Sequence, residues 1–153
     1  MIPKVISIAP KSIPYMWHQV KPLIDKALVH SNGELTSDDV LELLLSKRET
    51  LVIGYTDPED SYKEILMAAV TEVVQYPRKK VLRIIAWSTK SGHDGEEWYN
   101  LFNTIEYIGK KSGCDYIEAW TRKGMARKMK WDHEYSVITK QLLGGNYGRR
   151  RRR

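Results

Sequence analysis

The chain is predicted to be an α/β domain with a central mixed β-sheet and helices packed on its faces. Three observations predict this. Apolar spacing switches between a period of two and a period of 3.6 along the chain. Three consecutive strand patterns in the middle are joined by short, turn-rich connections, which implies antiparallel pairing. The third of them is followed by a helix and another strand pattern, the order of a right-handed crossover between parallel neighbours.

Taken in order, Ile2–Ile8 reads as a strand carrying Val5, Ile6 and Ile8, closed off by Pro10 and Pro14. From Tyr15 the period becomes helical through Trp17, Val20, Ile24, Ala27 and Leu28, and His30 to Gly33 ends the run. Pro22 is expected to kink this helix or split it. Thr36 or Ser37 is the N-cap of a second helix, with Asp38 and Asp39 at its positive end and Val40, Leu41, Leu43, Leu44 and Leu45 on its apolar face. It stops near Lys47. The strands Thr50–Tyr55, Glu64–Gln75 and Val81–Trp87 follow, separated by a loop from Thr56 to Ser61 and by Tyr76-Pro77-Arg78. Ala68 and Ala69 predict close approach of a helix to the middle strand. A helix from about Asp94 to Lys111 buries Trp98, Leu101, Phe102, Ile105 and Ile108 and stops at Gly113. Tyr116–Thr121 reads as a strand, Arg122–Lys130 as a short basic helix or turn, and Tyr135–Gln141 as the last strand. The domain is expected to span 1–143, and 144–153 to be a flexible Gly/Arg-rich tail.

Composition narrows the class. At 153 residues, 42% hydrophobic and 29% charged, the chain has the proportions of one globular domain. Apolar runs such as Ile65–Ala69 fall far short of the roughly 20 residues of a membrane span, and the N-terminal residues lack the pattern of a signal peptide. The one cysteine, Cys114, excludes an intrachain disulfide, reads as a buried structural thiol, and fits a cytoplasmic protein. His18, His30, His93 and His133 show no metal-ligand spacing, so no metal is expected. Trp17, Trp98 and Trp131 fall on apolar faces, whereas Trp87 and Trp120 either line a cleft or are buried. The net charge is +6, and five of the 25 basic residues are Arg149, Arg150, Arg151, Arg152 and Arg153, leaving 20 against 19 acidic residues. A near-neutral body thus carries a cationic tail, either a nucleic-acid tether or a solvated terminus.

Lys90, Gly92, His93, Asp94, Gly95, Glu96 and Glu97 form a polar loop where a strand hands over to a helix. Unpaired N–H groups and the dipole favour an anion there, and the glycines admit close backbone approach. Asp94, Glu96 and Glu97 oppose an anion and satisfy the dipole themselves. Two readings stand: an anion-binding loop and an acid-capped helix.

The element order, with a strand–loop–helix unit ending in Lys111-Ser112-Gly113-Cys114, resembles the acetyl-CoA-binding core of the GNAT acyltransferase superfamily. The family's loop has the form Gln/Arg-x-x-Gly-x-Gly/Ala. Here Gly95 matches the first glycine, Gly92 replaces Gln/Arg and Glu97 replaces Gly/Ala. Gly113 to Arg122 resembles the family's fifth strand, and Met125 to Trp131 its Ala-x-x-Leu-Tyr-x-x-x-Gly-Phe segment, shortened, with Trp131 for the phenylalanine. Tyr135 to Lys140 resembles the closing strand, so the likeness runs over residues 2–142. The resemblance implies acetyl-CoA as cofactor, with pyrophosphate on Gly92–Glu97 and the acyl carbonyl polarised by the backbone of Ala86, Trp87 and Ser88. It implies a carboxylate base, Glu72 or Glu118 if not merely a solvated strand face, and a tyrosine as acid to the leaving thiolate. Lys130 holds that tyrosine's usual position, which leaves Tyr135 or Tyr107 for the role. It also implies that the strands around Val81–Trp87 and Tyr116–Thr121 are parallel neighbours that splay apart at one end. The compact form is most similar to small GNAT-like proteins of tailed bacteriophages. That likeness implies an alternative, a catalytically silent virion or packaging-associated protein that docks on phage structural proteins while its arginine tail contacts nucleic acid.

Overall fold

The computed structural model describes residues 4–29, 33–56, 64–90, 97–120, 129–132 and 138–142, with the side chains of 97–99 left aside. The chain divides into two compact units, Met1–Trp120 and Thr121–Arg153. The first unit holds β1 (Lys4–Ile8), α1 (Ile13–Leu28), α2 (Ser37–Leu45), β2 (Thr50–Thr56), β3 (Glu64–Gln75), β4 (Lys80–Thr89), α3 (Glu97–Lys111) and β5 (Tyr116–Ala119). The strands form one sheet in the order β1-β2-β3-β4-β5. β1 to β4 are antiparallel, while β5 joins β4 in parallel, Val81 opposite Tyr116 through Ile84 opposite Ala119. The crossover predicted from element order is therefore present, and the fold class is the mixed α/β sheet expected.

The core lies on both faces of the sheet. Ile13, Val20 and Ile24 of α1 and Val40 and Leu44 of α2 cluster with Leu51, Ile53, Ala68 and Val70. The alternate residues Val52, Met67, Leu82 and Ile84 are also buried, as are Leu101, Phe102 and Ile105 of α3. Alternation along each strand sends its side chains to opposite faces, so every central strand is apolar on both. Ala68, wholly buried in the α1–α2 cluster, explains the small residue there. On the α3 face Gly54 and Met67 are direct cross-strand partners, and a Cβ on Gly54 would stand 2.8 Å from Met67 Sδ.

Local signals explain most boundaries. Thr36 caps α2 in a capping box with Asp39: the Thr36 side chain accepts from Asp39 N at 3.2 Å, and Asp39 accepts from Thr36 N at 3.0 Å. Gly113 takes φ +77 after α3, a conformation that favours glycine. Lys47 turns the chain after α2 at φ 69 with no glycine, so nothing in the sequence marks that turn as left-handed.

Four expectations need correction. Pro14 opens α1 rather than only closing β1, because proline in the first helical turn forfeits no intrahelical bond. Pro22 does not split α1, which runs unbroken from Ile13 to Leu28 with Val20, Leu23 and Ile24 buried around it. Pro22 and His18 are both on the exposed side, where water can take the carbonyl that proline leaves unpaired. The third meander strand continues past Trp87 to Thr89, because Ser88 and Thr89 pair with Ala68 and Met67 despite being polar. Residues 138–141, expected in a last strand, are in no strand, and Ile138 is 92% exposed. Residues 121–128 and 133–137 of the remaining elements lie outside the described residues. No described helix is long and apolar enough to cross a membrane.

Candidate active site at the β4–β5 opening

β4 and β5 part company above Ile84. β5 is paired only as far as Ala119, while β4 continues to Thr89. At the same level β4 carries a bulge: Val70 faces Ala86 and Thr71 faces Ile84, so Ile85 is the extra residue. Above it, the β5-side edge of Ile85–Thr89 has no strand partner among the described residues. A strand edge of this kind presents main-chain donors and acceptors.

The freed segment is held from its other sides. Ser88 Oγ donates to the Leu23 carbonyl of α1 at 2.6 Å, and Lys26 Nζ to the Thr89 carbonyl at 2.7 Å. Lys90 N donates to the Leu66 carbonyl at 2.7 Å, and Lys90 Nζ pairs with Glu64 at 2.5 Å. Trp87 packs edge-on against Phe102, ring centroids 5.6 Å apart at 83°. The tip of β4 is thus clamped between α1 and α3, with one edge unpaired among the described residues.

Just below the opening lies a polar cluster. Arg83 Nε donates to Glu118 Oε2 at 2.8 Å and Arg83 Nη2 to the Tyr76 hydroxyl at 2.8 Å. The Tyr76 hydroxyl donates in turn to Glu118 Oε2 at 3.0 Å. The Arg83 guanidinium also lies 4.7 Å from the ring centre of Trp120. Burial works against the charge on Arg83, yet its bonds to Glu118 and Tyr76 hold its pKa above the ordinary value. Glu72 is the register partner of Arg83 on β3, as Glu118 is on β5, so the two predicted carboxylates belong to a single cross-strand row with Arg83, whose guanidinium bonds to Glu118.

Behind Glu72 sits Glu49, 6% exposed, whose Oε1 has no hydrogen-bond partner among the described residues. Its pKa is pushed up to about 7, first by burial and then by the charge of Glu72, against the pull of Arg48.

The structure thus gathers Ala86, Trp87 and Ser88 in the freed segment, with Glu118 near it and Glu72 one strand further away. Lys90, expected to attract an anion, is paired with Glu64. Gly92, His93, Asp94, Gly95, Glu96, Tyr135 and Arg149–Arg153 lie outside the described residues, and Glu97 is placed only as the first residue of α3. Trp87 is half-buried and Trp120 58% exposed. Cys114 is half-buried rather than buried, because its backbone closes the turn after α3 by donating to the Gly109 carbonyl at 2.9 Å. Sequence reasoning missed the Ile85 bulge, since Ile84-Ile85-Ala86 carries no turn residue. It also missed Arg83, although a lone cation inside the apolar run Val81–Ala86 signals a paired charge. Among the described residues no group of three or more His, Cys, Asp or Glu is placed to hold a metal ion.

No family model matches the sequence, and no curated protein does. Solved structures do match. An aminoglycoside acetyltransferase from an uncultured soil metagenomic sample, in complex with sisomicin, superposes with TM-score 0.68 at 14% identity, over 94% of this chain and 97% of that one. The ribosomal-protein-alanine N-acetyltransferase of Brucella melitensis biovar Abortus 2308 gives 0.64 at 10%, over 92% and 99%. A GNAT family acetyltransferase of Staphylococcus aureus subsp. aureus gives 0.64 at 17%, over 93% and 100%. At such identities the likeness is one of fold: the chain has the architecture of GNAT acetyltransferases.

Proposed function

We propose that this GNAT-fold chain is an acyltransferase that moves an acetyl group from acetyl-CoA to an amine. The β4–β5 opening carries the reading. An extended ligand with amide groups fits a strand edge that has lost its neighbour, because it replaces the missing ladder bonds. When bound, acetyl-CoA supplies an activated acyl group that an amine attacks directly. Main-chain N–H groups of Ala86–Ser88 that face the open edge would polarise the acyl carbonyl. The bonds from Ser88 and Lys26 fix that segment to α1, so its donors need little reorganisation during the reaction. Trp87 against Phe102 supplies an apolar wall on the α3 side. Of the two carboxylates, Glu118 is nearer the opening, one residue before the last paired position, and Arg83 and Tyr76 orient it.

Titration calorimetry with acetyl-CoA tests the reading. One molecule is expected to bind per chain, and release of free CoA is expected on adding amines. No heat at millimolar acetyl-CoA would leave only the fold.

One observation favours a second reading. Glu118 already accepts from both Arg83 and Tyr76, an arrangement that suits a structural carboxylate as well as a base. On this reading the fold is a non-catalytic scaffold, docked on a protein partner such as a phage structural protein, with its arginine tail on nucleic acid. Acetyl-CoA binding with no CoA release across a broad panel of amines would favour it.

A further inference from the structure

Counted along the sequence, the body of the protein is nearly neutral; the fold nevertheless gathers its charges unevenly. β2, β4 and β5 begin, and β3 ends, at the end of the sheet opposite the β4–β5 opening. The connections that meet there are strongly basic: Lys47 and Arg48 between α2 and β2, Arg78 to Lys80 at the β3–β4 turn, and Lys110 and Lys111 in the last turn of α3. All are exposed except Lys80, which is half-buried. Among the described residues none of them makes an ion pair; those pairs are Lys21–Asp25, Arg83–Glu118 and Lys90–Glu64, all elsewhere.

The acids at this end do little to offset them. Glu49 is buried. Asp115 spends one carboxylate oxygen on the backbone N–H of Lys80, at 3.1 Å. Only Glu72 adds an acid to the surface of a 280 Å³ pocket here, whose lining also brings Lys47 and Arg48 beside Thr50, Thr71 and Ser112. Two unpaired cations next to the hydroxyls of Thr50 and Ser112 are a donor set that suits a phosphate group, whereas the buried Thr71 spends its hydroxyl on the Thr50 carbonyl. Two tyrosines flank the same end. Tyr116 is 59% exposed with Lys79 Nζ 4.7 Å from its ring centre, and Tyr107 is 61% exposed with Lys111 Nζ 5.8 Å from its own. Each ring has a cation over it and much of its surface open.

We propose that this end of the sheet binds single-stranded nucleic acid, with phosphates on the unpaired cations and bases stacked on Tyr116 and Tyr107. Cations spread over three connections match a chain of phosphates rather than a single anion. Exposed ring faces ask for unpaired bases, which a duplex keeps stacked inside. The site is independent of the acyl opening and of the arginine tail, and does not depend on either reading of the function.

The test is fluorescence anisotropy of a labelled oligothymidylate with the full chain at several salt concentrations. In the quadruple variant Lys47→Gln/Arg48→Gln/Arg78→Gln/Lys79→Gln, binding should weaken at least about tenfold, and the log–log salt slope should flatten by about 0.7 for each phosphate that is no longer neutralised. Tyr116→Ala should weaken binding about fivefold, as loss of one stacked base does. Lys4→Gln, an exposed cation at the other end of the sheet opposite Tyr55, should leave affinity within about twofold, and replacing Arg149–Arg153 by glutamine should leave a salt-dependent residual affinity. Thermal melts verify that each variant folds; should the quadruple variant melt early, Lys110→Gln/Lys111→Gln carries the same expectation. Any of three results overturns the proposal: unchanged affinity in the basic-end variants, an equal loss in Lys4→Gln, or complete loss on removing the tail charges. Binding to phosphatidylserine vesicles without binding to the oligonucleotide would also overturn it.

Discussion

Replacing Gly54 by alanine is expected to destabilise the protein by about 2–3 kcal/mol, the upper part of the usual cost of overpacking a core. The cause is space. Gly54 is not in the left-handed region, but a Cβ there would overlap Met67 Cγ and stand 2.8 Å from Sδ. Met67 is wholly buried among the α3-face residues, and the overlap falls near the root of its side chain, where rotamer changes give little relief. The melting temperature should fall by roughly 10 °C. Met67→Ala alone should also destabilise, by about 2–5 kcal/mol, through the cavity it leaves. Joined with Gly54→Ala it should cost less than the sum of the two, since the new methyl occupies part of that cavity. Strict additivity in a double-mutant cycle would show that the methyl is accommodated some other way.

The second large effect is electrostatic and changes with pH. Glu49 titrates at about 7 in the folded protein, above its ordinary value of 4.5, because burial and the charge of Glu72 both penalise its ionised form. The stabilising contribution of the protonated carboxyl is complete below about pH 4.5, and it is lost as pH rises through about 7. Glu49→Gln keeps a neutral side chain at every pH. Above pH 7 it should therefore be more stable than the parent by about 3 kcal/mol, from the rise from 4.5 to about 7 at 1.36 kcal/mol per pKa unit, with the advantage vanishing in acid. Urea unfolding from pH 4 to pH 8 measures this directly. A difference that stays constant with pH would mean that Glu49 does not titrate as described. Glu72→Gln should shift the transition to lower pH, since Glu72 is the second cause of the raised value.

Much of this fold is legible in the residues. The run Glu64–Gln75 locates β3 to the residue, and Thr36 or Ser37 ahead of Asp38 and Asp39 marks the start of α2, because in each case the signal lies within one element. The parallel partnership of β4 and β5 follows from element order alone. What stays hidden depends on neighbours distant in sequence. Polar Ser88 and Thr89 read as loop, because their strand character comes from pairing with β3 and from the Leu23 carbonyl of α1. The Ile85 bulge arises from how two strands meet, so an isoleucine there looks like any other strand residue. The site divides in the same way. Ala86, Trp87 and Ser88 come to the opening as their position in the fold demands, whereas the pairing of Arg83 with Glu118 is set by strand register. Glu49 carries no signal at all, since an acid between a helix and a strand is ordinary until β3 and Glu72 close over it. The basic end likewise appears only when three connections far apart in sequence are brought together.

The unequal lengths of β4 and β5 divide one strand into two dynamic regimes. Amide protons of β4 from Val81 to Ile84 lie between β3 and β5 and should exchange with deuterated water slowly, at a rate set by global opening. From Ile85 to Thr89, successive N–H groups point alternately to β3 and to the open edge. Those aimed at the open edge should exchange orders of magnitude faster, though only one residue separates them from protected neighbours. Residue-resolved exchange should therefore show a tooth-like pattern confined to the upper half of β4. A ligand that settles along that edge would slow the fast amides and leave the slow ones unchanged, so the strand reports occupancy without any label or turnover. A smooth gradient of protection from Lys80 to Thr89 would instead mean that the edge is covered in solution.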